Sequence, residues 1–374
     1  MLYRTFGKTG ERVSLLGFGA MRLPTAGGKV DEAESIRMIR HAIDSGVNYV
    51  DTAYMYHDGV SEEVVGKALK DGYREKVFLA DKLPPWFAKD ESDLPKIFET
   101  QLKRLDTDID MYLVHSIEEG HMGVMKELNT YGYVSGLRDS GKIKRLGFSY
   151  HGKTTKFFKE VIDSLDWDFC QIQLNYMDKD IQAGVEGLKY AGGKGIAVVV
   201  MEPLKGGKLT GRVPDSIQSL WNGAPVPRTP AEWGLRWVAN FPEATTILSG
   251  MTTMEQLDEN LRILSDAKPD ALTPGELALI DEASAEYNEL IKYGCTSCAY
   301  CLPECPQKID IPSIIGLNND TALYDCFEAS QFSIQNFVEP KPSACIECKK
   351  CEDICPQHLH IADIMKESAE LYER

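Results

Sequence analysis

Long apolar runs are missing from this chain. No stretch approaches the roughly 18 apolar residues that a membrane-spanning helix needs. The opening MLYRTFGKTGERV is polar and basic, without the apolar segment of a secretion signal. Neither a membrane partner nor an export signal is expected. Basic residues are in deficit too: 41 Lys and Arg stand against 57 Asp and Glu, a net charge of −16. A phosphate-binding face needs clustered Lys and Arg, so this balance argues against a nucleic-acid partner. The acidic surface serves solubility and suits some electron-transfer partners. Cysteine is scarce until late in the chain. Before residue 295 there is only Cys170, in the run WDFCQIQ, where it reads as a small buried hydrophobe. Thiols without a secretion signal point to a reducing, cytoplasmic setting.

The tail holds a repeated pattern. Nine of the ten cysteines fall in the last 80 residues, and eight of these form two copies of one spacing, the first Cys295-x2-Cys298-x2-Cys301-x3-Cys305-Pro306. The second copy, 50 residues on, is Cys345-x2-Cys348-x2-Cys351-x3-Cys355-Pro356. The copies continue as QKIDI and QHLHI, so a structural unit is repeated and not thiols alone. This spacing wraps [4Fe–4S] clusters: each tight triplet binds one cube, and the Cys before proline reaches across to the other. Two clusters follow, one on Cys295, Cys298, Cys301 and Cys355, the other on Cys345, Cys348, Cys351 and Cys305. Structural zinc is the alternative, since CxxC pairs hold it as well. Cys326 stands between the copies without a partner and reads as core. A cofactor-stapled tail explains how a small domain holds together with little apolar core.

The first 265 residues alternate short apolar runs with longer amphipathic ones. Strands are expected at Val13–Leu16, Val47–Val50, Val77–Ala80, Met111–Val114, Arg145–Phe148, Phe169–Ile172, Ala197–Val200 and Thr245–Leu248. Helices fall between them, as over Asp31–Ser45, Ser92–Leu105, Val124–Ser140, Thr154–Ser164 and Thr253–Leu264. The spacing is that of a βα unit, and IAVVVM is apolar throughout, as a strand covered on both faces should be. Eight units predict an α/β fold, a (β/α)8 TIM barrel. A doubly wound sheet is the alternative, but no G-x-G-x-x-G opens a helix after the first strand. A hairpin over Leu2–Leu16 is expected to plug the barrel's N-terminal face. The turn signal at Thr273-Pro274-Gly275-Glu276 starts a helical connector over Gly275–Ile291. The domains expected are therefore the barrel (1–268), the connector (269–293) and a two-cluster ferredoxin-like domain (294–374) whose stretch Gln307–Ala344 is helical.

Three successive strands end in ionisable residues: strand two in Asp51, strand three in Asp81-Lys82, strand four in His115. Barrel active sites form at the C-terminal ends of strands, so these groups converge on one pocket, with Tyr56 on the loop after Asp51. Singly, Asp51 reads as a turn cap, Lys82 as a partner for Asp81, and His115 as a rim histidine; their conjunction points to chemistry. Trp86, just after Lys82, is placed to line a substrate pocket. Trp221 and Gly223–Pro230 belong to a long loop after strand seven that is placed to cover a cofactor.

The segments YRTFGKTGERVSLLGFGAM, DTAYMYHDGVSEEVVGKAL, DKLP, DIDMYLVH, IKRLGFSYH, QIQLNY and SGMTTMEQLDENL resemble the aldo-keto reductase superfamily from Leu2 to about Leu264. The cysteine tail narrows the resemblance to members ending in a two-cluster ferredoxin-like module, here expected to be α-helical. The resemblance implies NAD(P)H-dependent, reversible carbonyl/alcohol interconversion with a catalytic tetrad of Asp51, Tyr56, Lys82 and His115. The chemistry fits these residue types. A phenol near pKa 10 is a weak acid at neutral pH, a nearby ammonium stabilises its phenolate, and Asp51 keeps Lys82 charged. His115 fixes the carbonyl oxygen.

The resemblance also implies that NADP, with NAD as an alternative, is held by Asp51, Ser149, Gln173 and the loops after strands one, seven and eight. These supply Gly19, Ala20 and Met21; Met201, Pro203, Leu204 and Lys205; and Gly250, Met251, Thr252, Gln256, Glu259 and Asn260. Tyr150 stands where many members carry Asn, Met201 where an aromatic ring often stacks, and Gln256 where an Arg often grips phosphate. Lys205 and Lys208 are candidates to supply the missing charge. Three roles are open: a reductase whose clusters exchange electrons with a ferredoxin or flavoprotein, a reductase whose clusters only staple the tail, and a nicotinamide-binding redox sensor. Nicotinamides exchange electron pairs and clusters single electrons, and no flavin motif is present.

Overall fold

A computed structural model of the protein describes residues 1–295 and 299–374, so the expected ligand Cys298 lies outside the described residues. The chain forms two compact units, Met1–Gly206 with Arg228–Leu277, and Gly207–Pro227 with Ala278–Arg374.

The first unit is the expected barrel. Its strands, in chain order, are the hairpin β1 (Tyr3–Thr5) and β2 (Arg12–Ser14), then β3 (Leu16–Gly19), a short hairpin β4 (Thr25–Ala26) and β5 (Lys29–Val30), β6 (Tyr49–Asp51), β7 (Phe78–Leu83), β8 (Met111–Ile117), β9 (Arg145–Tyr150), β10 (Phe169–Gln173), β11 (Ala197–Met201) and β12 (Ala244–Ser249). Eight of them close in the order β10-β11-β12-β3-β6-β7-β8-β9, every pair parallel. Helices α1 (Glu32–Asp44), α2 (Val60–Ala68) and α3 (Asp93–Leu105) follow β5, β6 and β7, and further helices follow the later strands.

The first strand begins later than its apolar run predicts. Val13 pairs with Arg4 in the hairpin, and the barrel strand starts only at Leu16. The helix expected over Val124–Ser140 is two, Met122–Glu127 and Thr130–Asp139, broken where Asn129 takes φ 47°.

The hairpin plugs the barrel floor. Phe6 is buried among Val13, Tyr49, Met111, Phe169 and Val199, its ring 5.4 Å from that of Phe169, the first residue of β10. Gly7 is required beside it: φ is +51°, and a Cβ would lie 2.4 Å from the Gly195 carbonyl oxygen. With the floor sealed, the open end is the rim where the strands finish.

In the second unit, helices Ile311–Tyr324, Phe327–Phe337 and Ile361–Tyr372 enclose a core of Ile309, Ile311, Ile314, Ile315, Ile334, Ile361, Ile364 and Met365. The segment between the cysteine motifs is helical, as its sequence predicts. The helix Pro274–Glu289 stands where the connector is expected. Residues 207–227 group with this unit: Lys208 pairs with Asp320 at 2.5 Å, Arg212 with Asp325 at 2.9 Å, and Trp221 is buried on the helix Asp215–Asn222. Among the described residues no helix is long and apolar enough to cross a membrane.

Candidate active site

Asp51 ends β6, Lys82 lies near the end of β7 and His115 near the end of β8. Tyr56 opens a 3-10 turn on the loop after β6. That loop is anchored from behind. Arg104 of α3 donates to the Tyr54 carbonyl at 3.0 Å and to Glu62 at 2.7 Å. Gly59 lets the chain pass it: φ is +89°, and a Cβ would lie 2.6 Å from the guanidinium carbon.

The Lys82 ammonium is out of water and donates to Asp51 Oδ1 at 2.5 Å and to the Thr52 carbonyl at 2.7 Å. It lies 4.9 Å from the centre of the Tyr56 ring. Burial works against its charge, but Asp51 and Tyr56 more than offset that and raise its pKa. Burial also raises the Asp51 carboxyl, which Lys82 pulls back only in part; the 2.5 Å contact marks the pair as ionic. The Tyr56 phenol stands above its ordinary value. Burial drives it up, and Lys82 opposes this without reversing it. The ammonium thus acts in the expected sense, yet the net shift is upward because the site is dry.

Burial pushes the His115 imidazole well below its usual range, and Lys82, His151 and His121 push it further. It is therefore neutral at pH 7, meeting the Tyr56 ring edge-on at 82° with centroids 6.2 Å apart. Trp86 forms a wall, its ring 5.3 Å from His115 and stacked 5.0 Å from His121. His121 and His151 escaped sequence reasoning; the signal was their place on the loops after β8 and β9.

The expected cofactor residues divide. Ser149 is buried, and its Oγ accepts the Ser116 N–H at 2.7 Å, leaving the hydroxyl proton to donate. Gln173 is committed within the chain: its amide donates to Asp178 at 2.8 Å and accepts from Gln182 at 3.1 Å. Gln171, two residues earlier on the same face of β10, pairs in register with Ser149. It is buried, its Oε1 has no partner among the described residues, and its Nε2 contacts Met201 Sδ at 3.4 Å. The alternation of strand faces was the signal for it. Asp51 Oδ2 is a second buried oxygen without a partner among the described residues.

Lys205 does not supply free charge, because both oxygens of Asp178 hold it at 2.7 Å; Lys208 is held by Asp320. At the loop after β12, Gln256 Oε1 accepts from Thr252 N at 2.9 Å, Glu259 accepts from Thr229 at 2.7 Å, and Asn260 is buried against Ser249 at 2.9 Å. Met251 is buried, and Leu204 packs toward Gly234 beside Pro203. Gly19 lies close to the Ser249 carbonyl, and Ala20 accepts from Ser61. Met21 is exposed. Beside it Arg22 has no carboxylate partner among the described residues. A Cβ on Gly250 would sit 3.1 Å from its side chain, and one on Gly206 2.9 Å from its guanidinium. An exposed cation thus lies over the loops after β3, β11 and β12.

In the second unit the cysteines gather around two cavities. One is lined by Cys295, Cys301 and Cys355 with Ile311, Pro356 and Ile361. The other is lined by Cys305, Cys345, Cys348 and Cys351 with Pro306 and Ile309. In each, the cysteine preceding a proline lies beside the described cysteines of the other motif's triplet. Thiols converging on a cavity are the donor set an iron–sulfur cube needs. Cys326 lines neither and lies 3.7 Å from Ser330 Oγ.

The Aldo/keto reductase family model matches residues 15–285, and the 4Fe-4S dicluster domain model matches residues 294–360. Aldo-keto reductase YhdN of Bacillus subtilis is 34% identical over 57% of this chain and 65% of its own length, so the match spans just under two thirds of that relative. L-galactose dehydrogenase of Arabidopsis thaliana is 26% identical over 70% of this chain and 88% of its own. Among solved structures, the holo form of aldo-keto reductase AKR11C1 from Bacillus halodurans superposes with a TM-score of 0.63, at 26% identity over 76% of this chain and 96% of that one. An aldo-keto reductase from Klebsiella pneumoniae in complex with NADPH gives a TM-score of 0.61, at 26% identity over 75% and 95%.

Proposed function

Because the chain belongs to the aldo/keto reductase family, we propose that it reduces a small-molecule carbonyl, or oxidises the corresponding alcohol, with Tyr56 as proton donor and Lys82, Asp51 and His115 as its supports. The observation that carries this is the buried Lys82 ammonium, bonded to Asp51 at 2.5 Å and lying against the Tyr56 ring. A bound nicotinamide supplies the hydride; each [4Fe–4S] cluster supplies or accepts one electron.

Tyr56 gives its proton to the developing alkoxide, and Lys82 stabilises the phenolate left behind. Asp51 stops the buried ammonium from losing its proton and keeps it aimed. His115, held neutral, offers a hydrogen bond that sets the carbonyl angle without competing as an acid. Trp86 and His121 wall the substrate side. Ser149 and Gln171 are the proposed partners of the carboxamide, with Gln171 taking the place first expected of Gln173. Asp51 Oδ2 is left to accept from a ribose hydroxyl. Arg22 is proposed as the cation for the cofactor phosphates, and NADP(H) as the preferred form.

Two clusters are proposed, in the groupings of the two cavities, and they pass single electrons to a ferredoxin or flavoprotein. The test is nicotinamide-dependent aldehyde reduction by wild-type protein and by Tyr56→Phe, measured anaerobically with clusters intact. Loss of turnover with retained nicotinamide binding supports the reading; full activity in the variant refutes it.

A further inference from the structure

Behind the Lys82–Asp51 pair, two more carboxyl groups meet out of reach of water. Asp81, on β7 just before Lys82, and Glu62, on α2, are both fully buried. Asp81 Oδ1 accepts the Lys82 backbone N–H at 2.8 Å. The two carboxyl groups act on each other electrostatically, and among the described residues neither Asp81 Oδ2 nor Glu62 Oε1 has a donor. Two carboxylate oxygens repel when both are ionised, and buried acceptors left unpaired are costly. A single proton between them removes both penalties. The remaining negative charge has its counter-ion at the Glu62 end, where Arg104 donates to Oε2 at 2.7 Å. Asp81 has no such cation to itself, since the Lys82 ammonium is spent on Asp51 and the Thr52 carbonyl.

We propose that Asp81 and Glu62 share one proton, carried by Asp81, and that the neutral Asp81 leaves the Lys82 charge directed at Asp51 and Tyr56. The two are positioning residues for the acid. The groups facing Asp81 are Lys82 on its own strand, Glu62 from α2 and Tyr112 from β8, whose hydroxyl donates to Gln101 at 2.6 Å. Arg104 lies behind Glu62, and Asp51 and Tyr56 lie on the far side of Lys82. Burial, and after it Glu62, pushes the Asp81 carboxyl well above the usual range, in keeping with this placement. With Asp81 neutral, Lys82–Asp51 and Arg104–Glu62 are two balanced pairs. An ionised Asp81 adds an uncompensated charge that raises the Tyr56 pKa and makes it a weaker acid.

The kinetic consequence rests on Tyr56 being the acid; the shared proton does not, so the two can fail separately. Infrared difference spectra at neutral pH, wild type minus Asp81→Asn, should show the C=O band of a protonated carboxylic acid. The band should also vanish in Glu62→Gln, whose new amide donates to Asp81 and leaves it ionised. In carbonyl reduction, Glu62→Gln should slow turnover and move the alkaline limb of the pH profile upward. Adding Asp81→Asn to it should return the limb to its wild-type position, whereas Asp81→Asn alone leaves the limb in place. Absence of the band in wild type would overturn the shared proton. A limb that moves in Asp81→Asn and stays fixed in Glu62→Gln would overturn its assignment to Asp81. Should Glu62→Gln not fold, the wild-type and Asp81→Asn spectra decide alone.

Discussion

Lys82 Nζ lies 2.5 Å from Asp51 Oδ1, joining the ends of two neighbouring parallel strands through an ion pair from which water is excluded. Both charges have left water, so each depends on the other. Lys82→Met or Asp51→Asn should each lower unfolding stability by about 3–5 kcal/mol, the usual cost of stranding one partner of a buried pair. The double variant should recover part of that. Denaturant titration measures it, and a double variant as destabilised as the sum of the singles would show that the two groups do not interact.

The amides of β10 separate by their commitments. Gln173 is bonded to Asp178 and Gln182, while Gln171 Oε1 has no partner among the described residues. Gln171→Ala should therefore weaken nicotinamide binding about tenfold, the worth of one hydrogen bond of about 1.4 kcal/mol. Gln173→Ala should act less on affinity and more on the Asp178–Lys205 pair. Fluorescence titration with NADPH distinguishes them; the reverse ranking would restore Gln173 as the carboxamide partner.

The cysteine before each proline is expected to serve the other motif. Cys355 shares a cavity with Cys295 and Cys301, and Cys305 shares one with Cys345, Cys348 and Cys351. Cys355→Ala should then perturb the cluster of the first triplet and leave the second near wild type. Iron and sulfide analysis with EPR after anaerobic reconstitution reads this. Loss confined to the second triplet's cluster would contradict the exchange.

Asp81 also makes stability depend on pH. Its carboxyl is raised in the folded protein by burial and by Glu62, while the unfolded chain releases the proton near the ordinary aspartate pKa of about 3.9. Above that value the folded state holds one more proton, so this group's stabilisation is full in acid and declines as pH rises, by about 1.4 kcal/mol per unit. Asp81→Asn lacks that decline. Its stability relative to wild type should increase as pH rises above about 4 in chemical unfolding; a constant difference would show that Asp81 is ionised throughout.

Much of this architecture was legible in the residues. The repeated cysteine spacing announced both cavities because the ligands of a cube must sit at short fixed intervals. Asp51, Lys82 and His115 could be placed because parallel strands deliver their C-terminal residues to one rim. What sequence reasoning missed depends on contacts between distant segments. Gln173 and Gln171 share a strand face, and only Asp178 and Gln182 show which of them is already engaged. Lys205 and Lys208 read as free cations until Asp178 and Asp320 are found beside them. The late start of β3 has the same origin, since Val13 satisfies the apolar pattern from within the hairpin.

The central claim is that this protein transfers hydride to a carbonyl with Tyr56 as the acid. The most direct measurement supplies NADPH deuterated at the transferring position, with a panel of aromatic and aliphatic aldehydes, under anaerobic conditions with the clusters intact. Wild-type protein should place one deuterium on the former carbonyl carbon of the alcohol, and Tyr56→Phe should do so about 10²–10⁴-fold more slowly while still binding NADPH. Alcohol formed without deuterium, or formed equally fast by Tyr56→Phe, would contradict the account.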